Sequence, residues 1–259
     1  MIIAPLVSVV IPVHNRERFL SQAISSVLQQ NFTNFELIIC DDGSTDGSLE
    51  IANTYAKLDS RIRVLTEEIN RGAAYTLKKG FAAANVNSKY LCQLDSDDLF
   101  DGDTLEKTVK VLEENPNCGL VYTHYQDINV YGERLYPGWR CSYAYSPDQI
   151  LTVFMLFHFR LFRKSTYHLA GGIDLNFNLV EDYDLCLRMS ELTEIILVPE
   201  ILYLYRVHIG SVHTENRLEV INLTLEAIQA ALVRRQMAKT HFIDVRYNPK
   251  ITIREKGKD

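Results

Sequence analysis

Twice in the first half of the chain an apolar run of strand type ends directly in carboxylates. Phe35 to Cys40 runs into Asp41-Asp42-Gly43-Ser44, and Tyr90 to Leu94 runs into Asp95-Ser96-Asp97-Asp98. Short continuous apolar runs fit strands covered on both faces, as in parallel sheets with helices above and below. In an open sheet of that kind, ligands sit in the crevice beyond the carboxyl ends of the strands. If these two strands share a sheet, both acidic clusters face one crevice. That placement constrains the chain more than either cluster alone.

The surrounding pattern agrees. Leu6 to Ile11 reads as a first strand closed by Pro12, and Phe19, Leu20, Ala23, Ile24, Val27 and Leu28 fall on one helical face. A helix with Leu49, Ala52 and Tyr55 precedes a short strand, Ile62 to Leu65. Ala74, Leu77 and Phe81 mark another helix. Leu105, Val109 and Leu112 mark the next, with Asp103 and Glu106 as a capping box. Gly119 to Tyr122 is the fifth strand of a βαβαβαβαβ order, which implies an α/β fold with a mostly parallel, Rossmann-like sheet flanked by helices.

After Thr123 the rhythm changes, with Gly132, Pro137, Gly138 and Pro147 cutting the chain into shorter pieces. Glu181 to Met189 reads as a helix, Ile195 to Val198 and Ile201 to Tyr205 as strands, and Arg217 to Met237 as a long amphipathic helix. The expected organisation is one domain over 1–215, with halves 1–124 and 125–215, followed by a helix and tail over 216–259.

Composition excludes several classes. The 259 residues carry a formal charge of −6, and the pI near 5.7 gives no broad basic surface, so nucleic acid is not an expected partner. The five cysteines have no close pairs, which argues against a zinc ribbon or a disulfide framework and fits a reducing compartment. Cys40 and Cys92 sit in apolar runs, where a thiol acts as a small hydrophobe. Met1 to Pro5 lacks the positive start of a signal peptide. The most apolar stretch, Ile150 to Phe162, is interrupted by His158 and Arg160 and falls short of the ~20 residues a spanning helix needs. A cytoplasmic protein is expected. The basic tail, Arg246 to Lys258, is a solvated tail or a peripheral contact with the inner membrane face.

Carboxylates packed on a turn after a buried strand suit Mg²⁺ or Mn²⁺, with positions left for phosphate oxygens. The competing reading of Asp95 to Asp98 is an ordinary turn and helix start. An EF-hand is excluded, because Phe100 stands at its glycine position and Leu99 at a ligand position. Asp41-Asp42 could likewise precede a helix capped by Ser44 or Asp46, or accept hydrogen bonds from a nucleobase imide or a ribose. No G-x-G-x-x-G, P-loop or G-x-S-x-G motif is present. A bound nucleotide would therefore be held by acidic side chains and a metal.

Together these segments resemble the family 2 inverting glycosyltransferases of the GT-A fold. The matching stretches are Val7 to Asn15, Ser25 to Gln30, Glu36 to Asp46, Leu94 to Asp98, Glu181 to Leu185 with Arg188, and Tyr205 to His208 with Ser211. The resemblance runs from Leu6 to about His213, and six short motifs in order are far more specific than any one.

It implies transfer of a sugar from a nucleotide-diphosphate donor, a UDP-sugar by default, to the hydroxyl of a glycan, lipid-linked or other acceptor in bacterial-type polysaccharide, lipopolysaccharide or glycan synthesis. It places Pro12, His14 and Asp42 at the base, Asp42 most directly. Asp95 falls near ribose and diphosphate, and Asp97 on the metal. Asp182 matches the catalytic base, with Glu181 beside it. His208 and Ser211 match a segment that closes over the phosphates.

The chain departs from the family where an Ala-Arg-Asn-x-Gly stretch is common, having Thr76-Leu77-Lys78-Lys79-Gly80 instead. Arg71, in the preceding loop, either reaches phosphate or is solvated. A Gln-x-x-Arg-Trp motif and membrane spans, features of processive members, are missing, which disfavours polymer synthesis.

A base in the first turn of a helix has its anion favoured by the helix dipole, while a neighbouring Glu181 works the other way. Asp184 would point elsewhere. Trp139, the single tryptophan, either stacks on an acceptor or packs its loop. Phe154, Phe157, Phe159 and Phe162, with Tyr203 and Tyr205, read as core. Two other functions fit less well: a nucleotide-sugar-binding module without turnover, and a sugar-1-phosphate nucleotidyltransferase. The latter would want a glycine-rich basic loop where Pro12 to Glu17 stands.

Overall fold

The computed structural model describes residues 4–208 and 216–245. Its centre is a nine-stranded sheet. The first half supplies β1 (Val7–Val13), β2 (Phe35–Asp42), β3 (Ile62–Glu67), β4 (Tyr90–Gln93) and the two-residue β5 (Leu99–Phe100). The second half adds β6 (Cys118–Ile128), β7 (Arg134–Pro137), β8 (Arg160–Arg163) and β9 (Glu194–Arg206). The order across the sheet is β3-β2-β1-β4-β8-β6-β9-β5, with β7 paired to β6 at the side.

The parallel pairings of β3, β2, β1 and β4 are those expected of crossover helices. β8 enters antiparallel to both β4 and β6, and β9 lies parallel to β6. Six strands, β1 to β4 with β6 and β9, therefore point the same way, and their carboxyl ends form one edge.

Pro12 is tolerated inside β1 for a positional reason. The β1–β4 pairing ends at Val10 and Gln93, so on that side no ladder hydrogen bond is asked of the proline nitrogen. The predicted strands at 195–198 and 201–205 are one strand, β9. Its register against β6 jumps between Thr123–Val198 and His124–Ile201, so Pro199 and Glu200 bulge out of the ladder.

Helices α1 (Leu20–Leu28), α2 (Ser48–Leu58) and α4 (Thr104–Glu114) cover one face through Leu20, Ile24, Ala52, Leu105 and Val109. Helix α3 (Ala73–Ala82) covers the other, with α5 (Lys164–Leu169), α6 (Glu181–Met189) and α7 (Arg217–Arg234). The α3–sheet approach is close: a Cβ on Gly80 would stand 2.9 Å from Cys40 Sγ and closer still to a methyl of Val10. The aromatic run is core as expected, with Phe157, Phe159 and Phe162 buried and Phe154 packed against them. Cys40 and Cys92 are buried thiols.

The predicted capping box at α4 does not form. Asp103 makes no side-chain cap and instead accepts a hydrogen bond from Asn31. At α2 the first-turn amide of Ser48 is met by Asp46 Oδ1 at 3.0 Å, and Ser44 serves the loop, accepting from the Asn15 amide.

Candidate active site

The carboxyl edge of the sheet gathers nearly every residue singled out from the sequence. His14, after β1, donates from Nδ1 to the Asp42 carbonyl at 2.8 Å. The Asp42 carboxylate accepts backbone N–H bonds from Arg71 at 2.9 Å and Gly72 at 2.8 Å. Gly72 has φ +93°, a conformation in which a side chain would be strained, so the loop reaches Asp42 because residue 72 is glycine. The Arg71 side chain lies over Tyr75, 4.2 Å from the ring centroid. Asp42 is thus a loop anchor in this structure. Its neighbour Asp41 is equally buried and keeps Oδ1 without a partner.

The turn after β4 splits its three aspartates among three tasks. Asp98 is 1% exposed and accepts from the Tyr203 hydroxyl at 2.8 Å and the Arg206 amide at 2.6 Å. It fastens the turn to β9. Asp97 Oδ2 meets Arg16 Nε at 3.1 Å and His208 Nε2 at 3.0 Å. Burial pushes the Asp97 carboxyl up, but the His208 hydrogen bond and the Arg16 charge outweigh it, and the net direction is down. Asp95 accepts from Gln93 at 3.0 Å and faces His158 Nε2 at 3.5 Å. Burial and then the charge of Asp97 push it up to about 6.

A buried arginine holds the turn from behind. Arg206, 1% exposed, donates to the Asp97 carbonyl at 2.6 Å, the Asn129 carbonyl at 3.0 Å and Gln22 Oε1 at 2.8 Å. It also covers the Phe19 ring at 4.8 Å. One side chain therefore ties the acidic turn to α1, to β9 and to the chain leaving β6.

At the start of α6, Asp182 Oδ2 stands 3.1 Å from Arg160 Nη1. Arg160 opens β8, is 5% exposed, donates to the Leu156 carbonyl at 2.8 Å and keeps Nη2 without a partner. Asp182 and Asp95 are close enough for each charge to act on the other region, and Arg160 acts on both. Glu181 Oε2 is shielded and unpartnered; burial first, then the Asp182 charge, push its carboxyl up to about 8. Asp184 does point elsewhere, pairing with Arg188 at 2.5 Å.

The donor set suits a divalent cation. Hard carboxylate oxygens cluster on one turn, and Asp97 presents an ionised carboxyl at the carboxyl edge of the sheet. Among the described residues, Asp95, Asp98 and His158 also bring ligand atoms within 4.8 Å of one another. Asp98, however, already serves Tyr203 and Arg206, and the His158 ring is stacked on Tyr203 at 4.6 Å. Asp97 lies outside that trio. Ser211 falls outside the described residues, as does the basic tail.

Arg16, His158, Arg160 and Arg206 were not among the predicted site residues. The signal for two of them was available: His158 and Arg160 interrupt an otherwise apolar stretch, and a charge in such a stretch is buried and needs a partner.

Residues 8–169 match the family model described as Glycosyl transferase family 2. The chain belongs to that family. A relative of this family 2 chain is the chondroitin synthase of Pasteurella multocida (strain Pm70), 31% identical over 187 residues, covering 72% of this chain and 19% of that protein. The chain spans about a fifth to a third of the length of the first curated relatives it matches. Among solved structures, S. aureus TarS 1-349 in complex with UDP-GlcNAc has a TM-score of 0.70 at 18% identity, covering 90% of this chain and 70% of that one. The mannosyltransferase PcManGT of Pyrobaculum calidifontis, in complex with GDP-Man and Mn²⁺, has a TM-score of 0.62 at 16% identity, covering 93% and 77%. The fold is that of the GT-A glycosyltransferases. Among the described residues, no helix is long and apolar enough to cross a membrane.

Proposed function

We propose that the chain is an inverting glycosyltransferase that moves a sugar from a nucleotide-diphosphate donor, a UDP-sugar by preference, to an acceptor hydroxyl in polysaccharide or glycan synthesis. The observation that carries this reading is the Asp182–Arg160 pair set beside the Asp95–Asp97 turn. It puts one carboxylate held by a buried guanidinium next to a second acidic centre at the carboxyl edge of the sheet. The two centres have different partners and can do different work. The UDP-GlcNAc and GDP-Man held by the two solved neighbours support a nucleotide-sugar donor.

In this reading the first half of the domain holds the donor and the second half the acceptor. Pro12, His14 and Asp42 line the base site, with Asp42 fixing the loop of Arg71 and Gly72. Asp97 holds Mn²⁺ or Mg²⁺, with Asp95 toward ribose and diphosphate, and His208 lies against the same carboxylate. When bound, the cation stabilises negative charge on the departing diphosphate.

Asp182 accepts the proton of the acceptor hydroxyl as that oxygen bonds to the anomeric carbon. The bond from that carbon to the diphosphate oxygen breaks on the opposite face, and a single displacement inverts the centre. Arg160, 3.1 Å away, orients the Asp182 carboxylate without itself touching the sugar.

The test uses purified protein, a panel of nucleotide sugars and Mn²⁺, with released nucleoside diphosphate as readout. The expected result is slow hydrolysis of one donor, lost with chelator and with Asp97→Ala. Calorimetric titration of UDP and GDP with Mn²⁺ accompanies it. Absence of binding by every nucleoside diphosphate sinks the proposal.

A further inference from the structure

Beside the catalytic edge lies a cavity of about 410 Å³ that the donor reading does not use. Tyr125 and Asp127 of β6, Phe157, and Tyr205 of β9 contribute to its lining. Trp139 and Arg140, from the turn after β7, and Arg217, Val220 and Ile221, from the start of α7, complete it. The Phe157 ring stands 5.2 Å from both Tyr125 and Tyr205. The next residue, His158, stacks on Tyr203 and Tyr205 and faces Asp95. The cavity and the acidic turn therefore share an aromatic wall one imidazole thick.

Two features of the lining point to a ligand. Trp139 is 59% exposed, an indole held at the mouth rather than packed away, and aromatic faces beside polar groups suit sugar rings. Arg140 is clamped between rings, 4.0 Å from the Phe157 centroid and 4.7 Å from that of Trp139, yet its Nε is shielded and has no hydrogen-bond partner. A buried donor without a partner is costly unless a ligand supplies the acceptor.

The charge is equally specific. Two guanidinium groups face one carboxyl, Asp127, in a chain whose net charge is −6. A charge-assisted bond to an anion is the strong way to satisfy such a donor.

We propose that this cavity takes an anionic sugar unit of the acceptor, its ring against Trp139 and its carboxylate or phosphate on Arg140. The inference rests on the glycosyl-transfer reading and names the acceptor class for that site. Asp127 opposes the anion and limits its affinity.

Because Trp139 is the only tryptophan, its emission reports on the cavity directly. The full chain is titrated with cellobiose, cellobiuronic acid and cellobiose 6-phosphate, and separately by calorimetry with UDP and Mn²⁺. The expected result is a saturable emission change with an anionic disaccharide, about tenfold weaker with cellobiose. Which anion binds more tightly separates carboxylate from phosphate. Arg140→Met should lose about tenfold in that affinity and Asp127→Asn should gain, opposite directions that a misfolded variant cannot mimic. Equal binding of cellobiose, no saturable change with any probe, or indifference to both substitutions overturns the inference. UDP binding without saccharide binding removes this inference alone, whereas saccharide binding without UDP binding removes the donor reading.

Discussion

Gly80 offers a test in which two ordinary rules give opposite signs. It lies inside α3, where glycine costs about 1 kcal/mol relative to alanine, so propensity alone predicts that Gly80→Ala stabilises the protein. The packing predicts the reverse. An added Cβ would stand 2.9 Å from Cys40 Sγ and 3.3 Å from Val10 Cγ2, with Val10 Cγ1 nearer still, where carbon contacts are comfortable only at about 3.5–4.0 Å. Both neighbours belong to central strands and are buried, so neither can swing aside into solvent. Overpacking of this kind costs about 1–3 kcal/mol. A clash against two strands at once belongs at the upper end, which leaves a net loss of about 2 kcal/mol after the propensity gain. With a urea m-value of about 3 kcal/mol/M, the unfolding midpoint should fall by roughly 0.7 M. The displaced α3 would carry Arg71 and Gly72 off Asp42, so calorimetric affinity for nucleotide should fall as well. A midpoint that is unchanged or raised would refute the claim that close α3–sheet contact, rather than chance, places glycine at 80.

Asp182→Asn should lower turnover by about 10²–10⁴-fold, the usual worth of a general base, while UDP affinity measured by calorimetry stays within about twofold. Arg206→Met leaves two backbone carbonyls and Gln22 without their donor and should cost about 3–5 kcal/mol in urea unfolding, the sum of three lost charge-assisted hydrogen bonds; a loss under about 1 kcal/mol would show that the turn does not depend on it. Glu181 has its carboxyl raised, so the folded state favours its protonated form. That preference is intact below about pH 4.5 and is lost as pH rises toward 8. Glu181→Gln should therefore gain stability over wild type with rising pH, by at most ~5 kcal/mol above pH 8. Parallel stability–pH curves for the two proteins would contradict it.

The parts of the fold visible in the sequence were those encoded locally. Continuous apolar runs gave β1 to β4, and carboxylates at their ends marked the crevice. β8 was hidden because it is four residues long inside an apolar stretch, and its place between β4 and β6 depends on contacts remote in sequence. The two strands read in the 195–205 region are one, since a bulge absorbs Pro199 without ending the pairing. Capping at Asp103 failed because Asn31, far away in sequence, competes for its carboxylate. In the site, the acids were legible because clusters of like charge stand out. Their partners Arg16 and Arg206 were not, because a lone arginine carries no periodicity and its meaning lies in what it touches, whereas Arg160 was marked by its interruption of an apolar stretch. Asp42 shows the same limit from the other side: the sequence marks it as a polar group at a strand end, and only the structure shows its carboxylate already anchoring a loop.

The fastening of the acidic turn to β9 has a consequence for synthesis on the ribosome. Asp97 and Asp98 are made early, yet their partners Tyr203, Arg206 and His208 lie more than a hundred positions later. Until β9 emerges, β6 has an open edge where its parallel partner will lie, and the Asp98 carboxylate, buried in the finished fold, lacks both the Tyr203 hydroxyl and the Arg206 amide. Long-range closure of this kind is slow and leaves the nascent chain exposed to off-pathway pairing. The nascent protein therefore stays unable to complete the acidic edge of its sheet until translation has passed His208, whatever the stability of the βαβ units already formed.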